Sequence, residues 1–256
     1  MPGWMTEIRQ DGFLDGRLRI AQPLRGYRAG ADAVMLGAAC PAQPGQTVLE
    51  LGCGVGVASL CLGWRVRGLA ITGLERQADY ADLARANAAA NDIPMTVLTG
   101  DLAAPSSDLR AMSFDHVLMN PPYFLGGTPA PNAGRAEARR EETPLALWID
   151  AGLRRLRPDG WLTLIQRADR LDGVISALAG RAGAVSILPI AGRQGQPAGR
   201  VLLTARKGAA TPLRLLAPFV THAAPRHDKD GEDLTEAAAA VLRNGAPIDL
   251  GIAKAA

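Results

Sequence analysis

Val48-Leu49-Glu50-Leu51-Gly52-Cys53-Gly54-Val55-Gly56 is the stretch whose reading decides the fold. A short apolar run that ends in glycines reads as a buried strand turning tightly into a helix. Glycines let the backbone come close to a ligand. A phosphate-binding loop would end in Gly-Lys-Ser/Thr, and the dinucleotide fingerprint would put its third glycine where Val57 stands, so both fit poorly. Glu50 beside the loop opposes a pyrophosphate. It suits a cationic sulfonium cofactor that carries an α-amino group.

Outward from this turn, strands alternate with helices. A helix is expected over Ala31–Ala39 before it and over Val57–Trp64 after it. Further on come a strand at Ala70–Leu74, a helix at Ala78–Ala90, and strands at Met95–Thr99 and Phe114–Met119. Such alternation implies an α/β fold, a parallel sheet covered on both faces. Upstream, Asp15-Gly16 reads as the two-residue turn of a hairpin. Downstream, Thr143 and Pro144 read as N-cap and first position of a helix, and Pro158-Asp159-Gly160 as a turn. Trp161–Ile165 is an expected strand, Leu171–Leu178 a helix, and Ser186–Ile190 with Val201–Ala205 a closing strand pair. Pro212–Val220 reads as a further extended segment, and Asp233 with Glu236 as a capping box.

With 256 residues, 48% of them hydrophobic and 21% charged, one compact core is expected, and no disorder outside the termini. No apolar run approaches the roughly 18 residues of a membrane span, and Met1–Gln10 lacks signal-peptide order, so a cytoplasmic protein is expected. Cys40, Cys53 and Cys61 form no Cys-x-x-Cys pair and read as reduced packing residues. The net charge of +3 tilts toward an anionic partner without deciding one.

Two further acids follow the next two strands. Glu75 is placed to accept both hydroxyls of a ribose, and Asp101 to accept from an adenine amino group. The fourth strand runs into Asn120-Pro121-Pro122-Tyr123. Adjacent prolines fix the backbone, so Asn120 and Tyr123 are held rigidly. An aryl-amine or amide nitrogen is a poor nucleophile because its lone pair is delocalised. Hydrogen bonds from its two N–H groups to the Asn120 side chain and the Pro121 carbonyl favour a pyramidal nitrogen, while Tyr123 stacks on a planar acceptor. No base is needed before transfer.

In this order Glu50–Gly56, Glu75, Asp101 and Asn120–Tyr123 resemble the motifs of class I methyltransferases that act on amino nitrogens. Gln22-Pro23, Gly26–Val34, Gly199–Leu202 and Pro212–Phe219 extend the resemblance to the bacterial tRNA(Val) adenine-37 N6-methyltransferase family over nearly the whole chain. The resemblance implies S-adenosyl-L-methionine as cofactor and a Rossmann-like, doubly wound, seven-stranded sheet whose last strand is antiparallel. It further implies an upstream lid in which Tyr27, Arg28, Gly30 and Asp32 touch the cofactor, beside Glu50, Gly52, Gly54, Gly56, Glu75, Asp101 and Asn120. Asn120, Pro121, Pro122 and Tyr123 become the catalytic set.

The expected organisation is one domain over 1–256: hairpin and lid over 1–30, core over 31–207, and a C-terminal extension over 208–256. The implied partner is RNA, in the anticodon region of a tRNA, with no membrane and no metal. Protein glutamine N5- and rRNA guanine N2-methyltransferases carry the same or a similar tetrapeptide, so these acceptors stay open. So does a cofactor- or RNA-binding module without turnover. The arginines at 135, 139 and 140 interleave with acids as in a solvated helix, and Arg193, Arg200, Arg206 and Lys207 read as strand-end charges. His222, His227 and Asp228 lack the spacing of a metal site, and His116 reads as a packed histidine.

Overall fold

The computed structural model describes residues 7–122, 143–224 and 233–252. In chain order its elements are β1 (Ile8–Phe13), β2 (Leu18–Pro23), α1 (Ala31–Ala39), β3 (Thr47–Leu51), α2 (Val57–Arg65), β4 (Ala70–Glu75), α3 (Ala78–Ala90), β5 (Met95–Thr99), α4 (Ser107–Ala111) and β6 (Phe114–Met119). There follow α5 (Leu145–Arg155), β7 (Leu156–Arg167), α6 (Leu171–Leu178), β8 (Ala182–Ala191), β9 (Arg200–Lys207), β10 (Arg214–Leu215), β11 (Phe219–Val220) and α7 (Glu236–Leu242).

The central sheet runs β5-β4-β3-β6-β7-β9-β8-β10, with β11 also on β8. The strands from β5 to β7 are parallel, and β9 is inserted antiparallel between β7 and β8. Seven long strands were expected, and two short ones bring the sheet to nine. The extra pair exists because β8 would otherwise be a bare edge. The segment after β9 satisfies it: Ala184 N–H donates to Thr211 O at 2.9 Å, Leu216 N–H to Ile187 O at 2.8 Å and Thr221 N–H to Ala191 O at 3.0 Å.

Side chains alternate across the sheet and build a core on each face. Val48, Ile71, Leu118, Ile165, Leu188 and Leu202 face one way, toward α1, α2 and the β1–β2 hairpin. Leu49, Leu51, Val117, Met119, Leu162, Leu164 and Leu203 face the other, with Ile149 and Leu153 of α5 and Val174 of α6. Two-sided burial explains why the strands read as nearly continuous apolar runs. It also assigns Glu50 to the face of Val48, against α2.

Four local expectations change. The hairpin turn spans Leu14–Arg17, because Phe13 pairs with Leu18 and three successive residues take positive φ (50°, 56° and 78°), which lets Leu14 drop into the core. Pro144 is the N-cap of α5 rather than its first residue. Pro158-Asp159-Gly160 is a bulge inside β7, since Phe114 pairs with Leu156 and His116 with Trp161 while Asp159 takes φ 62°. Thr235 caps α7, its hydroxyl accepting from Ala238 N–H at 3.1 Å, and Asp233 instead binds Arg193 at 2.8 Å.

Candidate active site

From β3 the chain steps outward through β4 to β5, then returns to β6 on the other side of β3. In open α/β sheets ligands bind beyond the strand carboxyl ends at such a reversal. A cleft enclosing about 1080 Å³ of non-protein space, partly open to solvent, lies there. Glu50, Gly52, Cys53 and Gly54 line it at the end of β3, Glu75, Arg76 and Gln77 at the end of β4, Asp101 and Leu102 after β5, and Asn120 and Pro122 after β6. Tyr27, Tyr80, Thr143 and Trp148 complete the wall.

The glycine turn is required by geometry. Gly52, Gly54 and Gly56 take φ of 65°, 54° and 92°, a region L side chains rarely adopt. A Cβ on Gly52 would also stand 2.5 Å from Cη2 of Trp148. The loop's N–H groups point to protein acceptors. Cys53 N–H donates to Leu74 O at 3.0 Å, Gly54 N–H to Glu75 Oε2 at 2.9 Å and Gly56 N–H to Cys53 O at 2.8 Å. They form no cradle for a phosphate.

Glu50 and Glu75 are buried, Asp101 is partly exposed, and all three are held. Glu75 Oε1 accepts from Gln77 N–H at 2.9 Å. Glu50 Oε2 accepts from the Ser59 N–H at 3.0 Å and the Ser59 hydroxyl at 2.5 Å. Burial pushes the Glu50 carboxyl up to about 7, against the Ser59 hydrogen bonds and with the help of the Glu75 charge. Burial also raises Glu75, against the N–H donors of Gln77 and Gly54. Asp101 Oδ1 accepts from Ala103 N–H at 2.8 Å. Burial, then the charges of Asp32 and Glu50, hold the Tyr27 phenol well above its ordinary range, so it stays neutral.

Two buried carboxyls facing one cavity oppose each other's ionisation, and a cation between them relieves that opposition. A carboxylate has about four lone-pair sites. The N–H groups of Gln77, Gly54 and Arg76 reach Glu75, and the lone-pair capacity they leave is open to a ribose hydroxyl. The residues present fit a cofactor with a cationic centre and a ribose.

Of the residues expected at the cofactor, the structure brings Tyr27, Glu50, Gly52, Gly54, Glu75, Asp101 and Asn120 to the cleft, with Pro122. Arg28, Gly30, Asp32, Gly56 and Pro121 do not line it. Tyr27 and Ala29 face the cavity, whereas Arg28 between them turns to Asp11 at 2.5 Å. Gly30 and Gly56 are the N-caps of α1 and α2, and Asp32 pairs with Arg200 at 3.1 Å. Tyr123, Arg135, Arg139, Arg140, His227 and Asp228 lie outside the described residues.

Ser59, Gln77, Tyr80 and Trp148 were not read from the sequence as site residues. Gln77 and Tyr80 were open to detection, because they directly follow Glu75. Trp148 reads only as core. Elsewhere, Arg193 and Arg206 are bound to Asp233 and Asp159. His116 is buried, its Nε2 2.8 Å from Gln46 Oε1, and burial pushes it down to about 4. Among the described residues no cluster of His, Cys, Asp and Glu could hold a metal, and no helix is long and apolar enough to cross a membrane.

Residues 31–170 match the family model described as methyltransferase small domain. A Porphyromonas gingivalis (strain ATCC 33277) protein named tRNA1(Val) (adenine(37)-N6)-methyltransferase is 35% identical over 170 residues, covering 63% of this chain and 67% of the relative. A Dickeya chrysanthemi protein of the same name is 29% identical over 216 residues, covering 82% of this chain and 85% of the relative. The crystal structure of an Agrobacterium tumefaciens protein described as a predicted O-methyltransferase superposes with a TM-score of 0.69 at 27% identity, covering 85% of this chain and 98% of that one.

Proposed function

The chain belongs to the methyltransferase small domain family and is an S-adenosylmethionine-dependent methyltransferase, and from that premise we propose that its acceptor is N6 of an adenine in the anticodon region of a tRNA. The observation that supports this most is that Asn120 and Pro122 share one cleft with Glu50 and Glu75. The names of the Porphyromonas and Dickeya relatives add to it. Such a substrate places the protein in the cytoplasm.

The bound cofactor supplies an electrophilic methyl group on a sulfonium sulfur. Glu75 takes the ribose hydroxyls, Glu50 faces the cationic amino-acid end, and Asp101 accepts from the adenine amino group. Asn120 Oδ1 and the Pro121 carbonyl accept the two N–H groups of the acceptor amine, which gathers its lone pair toward the methyl carbon. A cofactor held by these residues would supply the methyl group to that nitrogen, and the extra proton would leave the nitrogen for water. Tyr123 is the proposed stacking partner of the base, which joins RNA readers that hold splayed bases on aromatic faces. The description of the Agrobacterium protein names oxygen as acceptor. An Asn-Pro-Pro segment favours nitrogen, because it offers hydrogen-bond acceptors to N–H groups and no base to a hydroxyl.

The test offers unmodified tRNA and a peptide-release factor together to the pure protein with labelled cofactor, then locates the methyl group by mass spectrometry of nucleosides and peptides. N6-methyladenosine is expected. Methylglutamine alone sinks the RNA acceptor, and N2-methylguanosine keeps the mechanism but changes the base.

A further inference from the structure

Four neutral side chains each grip one residue of the upstream segment by both its main-chain N–H and its C=O. Asn91 Oδ1 accepts from Arg19 N–H at 2.9 Å while its amide donates to Arg19 O at 2.9 Å. Asn87 does the same to Ala21, at 2.8 and 3.1 Å. The Tyr80 hydroxyl accepts from Tyr27 N–H at 3.0 Å and donates to Tyr27 O at 3.2 Å. Gln22 takes Ala29 N–H at 2.8 Å and donates to Ala29 O at 3.3 Å.

The spacing has a physical logic. Asn87 and Asn91 are one helical turn apart at the end of α3, so their amides lie on one face. Arg19 and Ala21 are two apart on β2, so their N–H and C=O groups share the edge that β1 leaves unpaired. The helix therefore stands in for a third strand. Tyr80 opens the same helix, and Tyr27 and Ala29 are the upstream residues that line the cleft with it. Tyr27 Cε1 lies 3.9 Å from where a Cβ on Gly54 would stand, over the glycine turn.

From this pattern we infer that Asn87 and Asn91 of α3, with Tyr80 and Gln22, are positioning residues that hold Tyr27 and Ala29 as a preformed wall of the cofactor site. The helix that follows Glu75 in the chain thus fixes the opposite wall of the same cavity. The upstream segment does not swing in to meet the cofactor. The inference rests on the cleft being the cofactor site. Neither Asn87 nor Asn91 lines it. Asn91 acts on the cofactor through the hairpin, whereas Asn87 holds both the hairpin and the glycine turn, its amide also donating to Val55 O at 3.0 Å.

Two measurements test it. By amide hydrogen exchange of the ligand-free protein, the Arg19, Ala21 and Tyr27 amides are protected, and Tyr80→Phe speeds exchange at Tyr27 by at least about tenfold. In Asn87→Ala the KM for cofactor rises about 3- to 15-fold, with kcat at saturating cofactor within about twofold of the parent. Asn91→Ala moves KM the same way, by about 2- to 5-fold, and decides the test, because the Asn91 amide is half-buried and bonds Arg19 and Asn87 O, whereas Asn87→Ala also frees Val55 O of the glycine turn. A purely structural role would lower kcat through loss of folded enzyme and leave KM in place. Parental KM in folded variants overturns the inference, and so does loop-like exchange of the three amides in the parent. If the parent binds no cofactor, the reading of the cleft fails instead, and the exchange experiment alone then decides whether the segment is clasped.

Discussion

The two halves of the central sheet end in opposite electrostatic arrangements along the same edge. At the carboxyl ends of β3 and β4 stand Glu50 and Glu75, only 4% and 8% exposed, held by N–H and hydroxyl donors and raised in pKa by burial. Across the β7–β9–β8 half, the same edge carries arginines bound to aspartates: Arg200 to Asp32 at 3.1 Å, Arg193 to Asp233 at 2.8 Å, and Arg167 to Asp169. Partly exposed pairs are close to electrostatically relaxed and contribute little. Buried carboxyls facing a cavity are not relaxed, and a cation entering between them gains what folding gave up. The difference separates a half that recognises a ligand from a half that finishes the sheet.

The sharpest break of that comparison is Asn120→Ala. It should lower turnover by about 10²- to 10³-fold while cofactor affinity barely changes, measured by single-turnover kinetics and calorimetry. Unaltered turnover would remove Asn120 from the mechanism. Next in size is Glu75→Ala, expected to weaken cofactor binding by about 1.5–3 kcal/mol through loss of charged hydrogen bonds. An unchanged dissociation constant would mean that the buried acid is only a clamp for the glycine turn.

Glu50 gives the comparison a pH signature. Its ionised form attracts a cation, so cofactor affinity should be flat above pH 7 and fall by up to about tenfold per unit below it. Glu50→Gln should flatten that dependence. The same proton bears on stability without ligand. Folding raises this carboxyl from 4.5 to about 7, so its stabilising contribution is fully present below 4.5 and is lost as pH rises through 7. Thermal melts of Glu50→Gln should lose that component, and an identical pH profile would refute the raised pKa. The smallest effect belongs to the other half: Arg200→Ala should cost about 0–1 kcal/mol in stability and change cofactor affinity by less than about twofold. A large loss of affinity would erase the distinction between the two halves.

Much of this architecture was written locally. Gly52, Gly54 and Gly56 stand where φ is positive, and no other residue takes those positions cheaply, so the strand-to-helix turn was visible in the chain. The ranges expected for α1, α3, β5, β6 and α6 coincide with those observed, because buried parallel strands and their covering helices carry their periodicity in a few consecutive residues. Turn chemistry was less legible. Asp15-Gly16 suggested a two-residue turn, but the pull of Leu14 into the core sets a longer one.

The acids at successive strand ends followed from the sequence because strand order and chain direction place every carboxyl end on one side. The partners of polar side chains did not. Asp11 claims Arg28, Arg200 claims Asp32, Ser59 claims Glu50, and α3 clasps the hairpin through Tyr80, Asn87 and Asn91. Trp148 closes on Gly52 from a helix nearly a hundred residues away in the chain. Local periodicity states which face of an element is buried, and so the sequence alone determined the layers and the strand ends. A hydrogen bond needs a donor and an acceptor within about 3 Å at a defined angle, and only packing of distant elements supplies both.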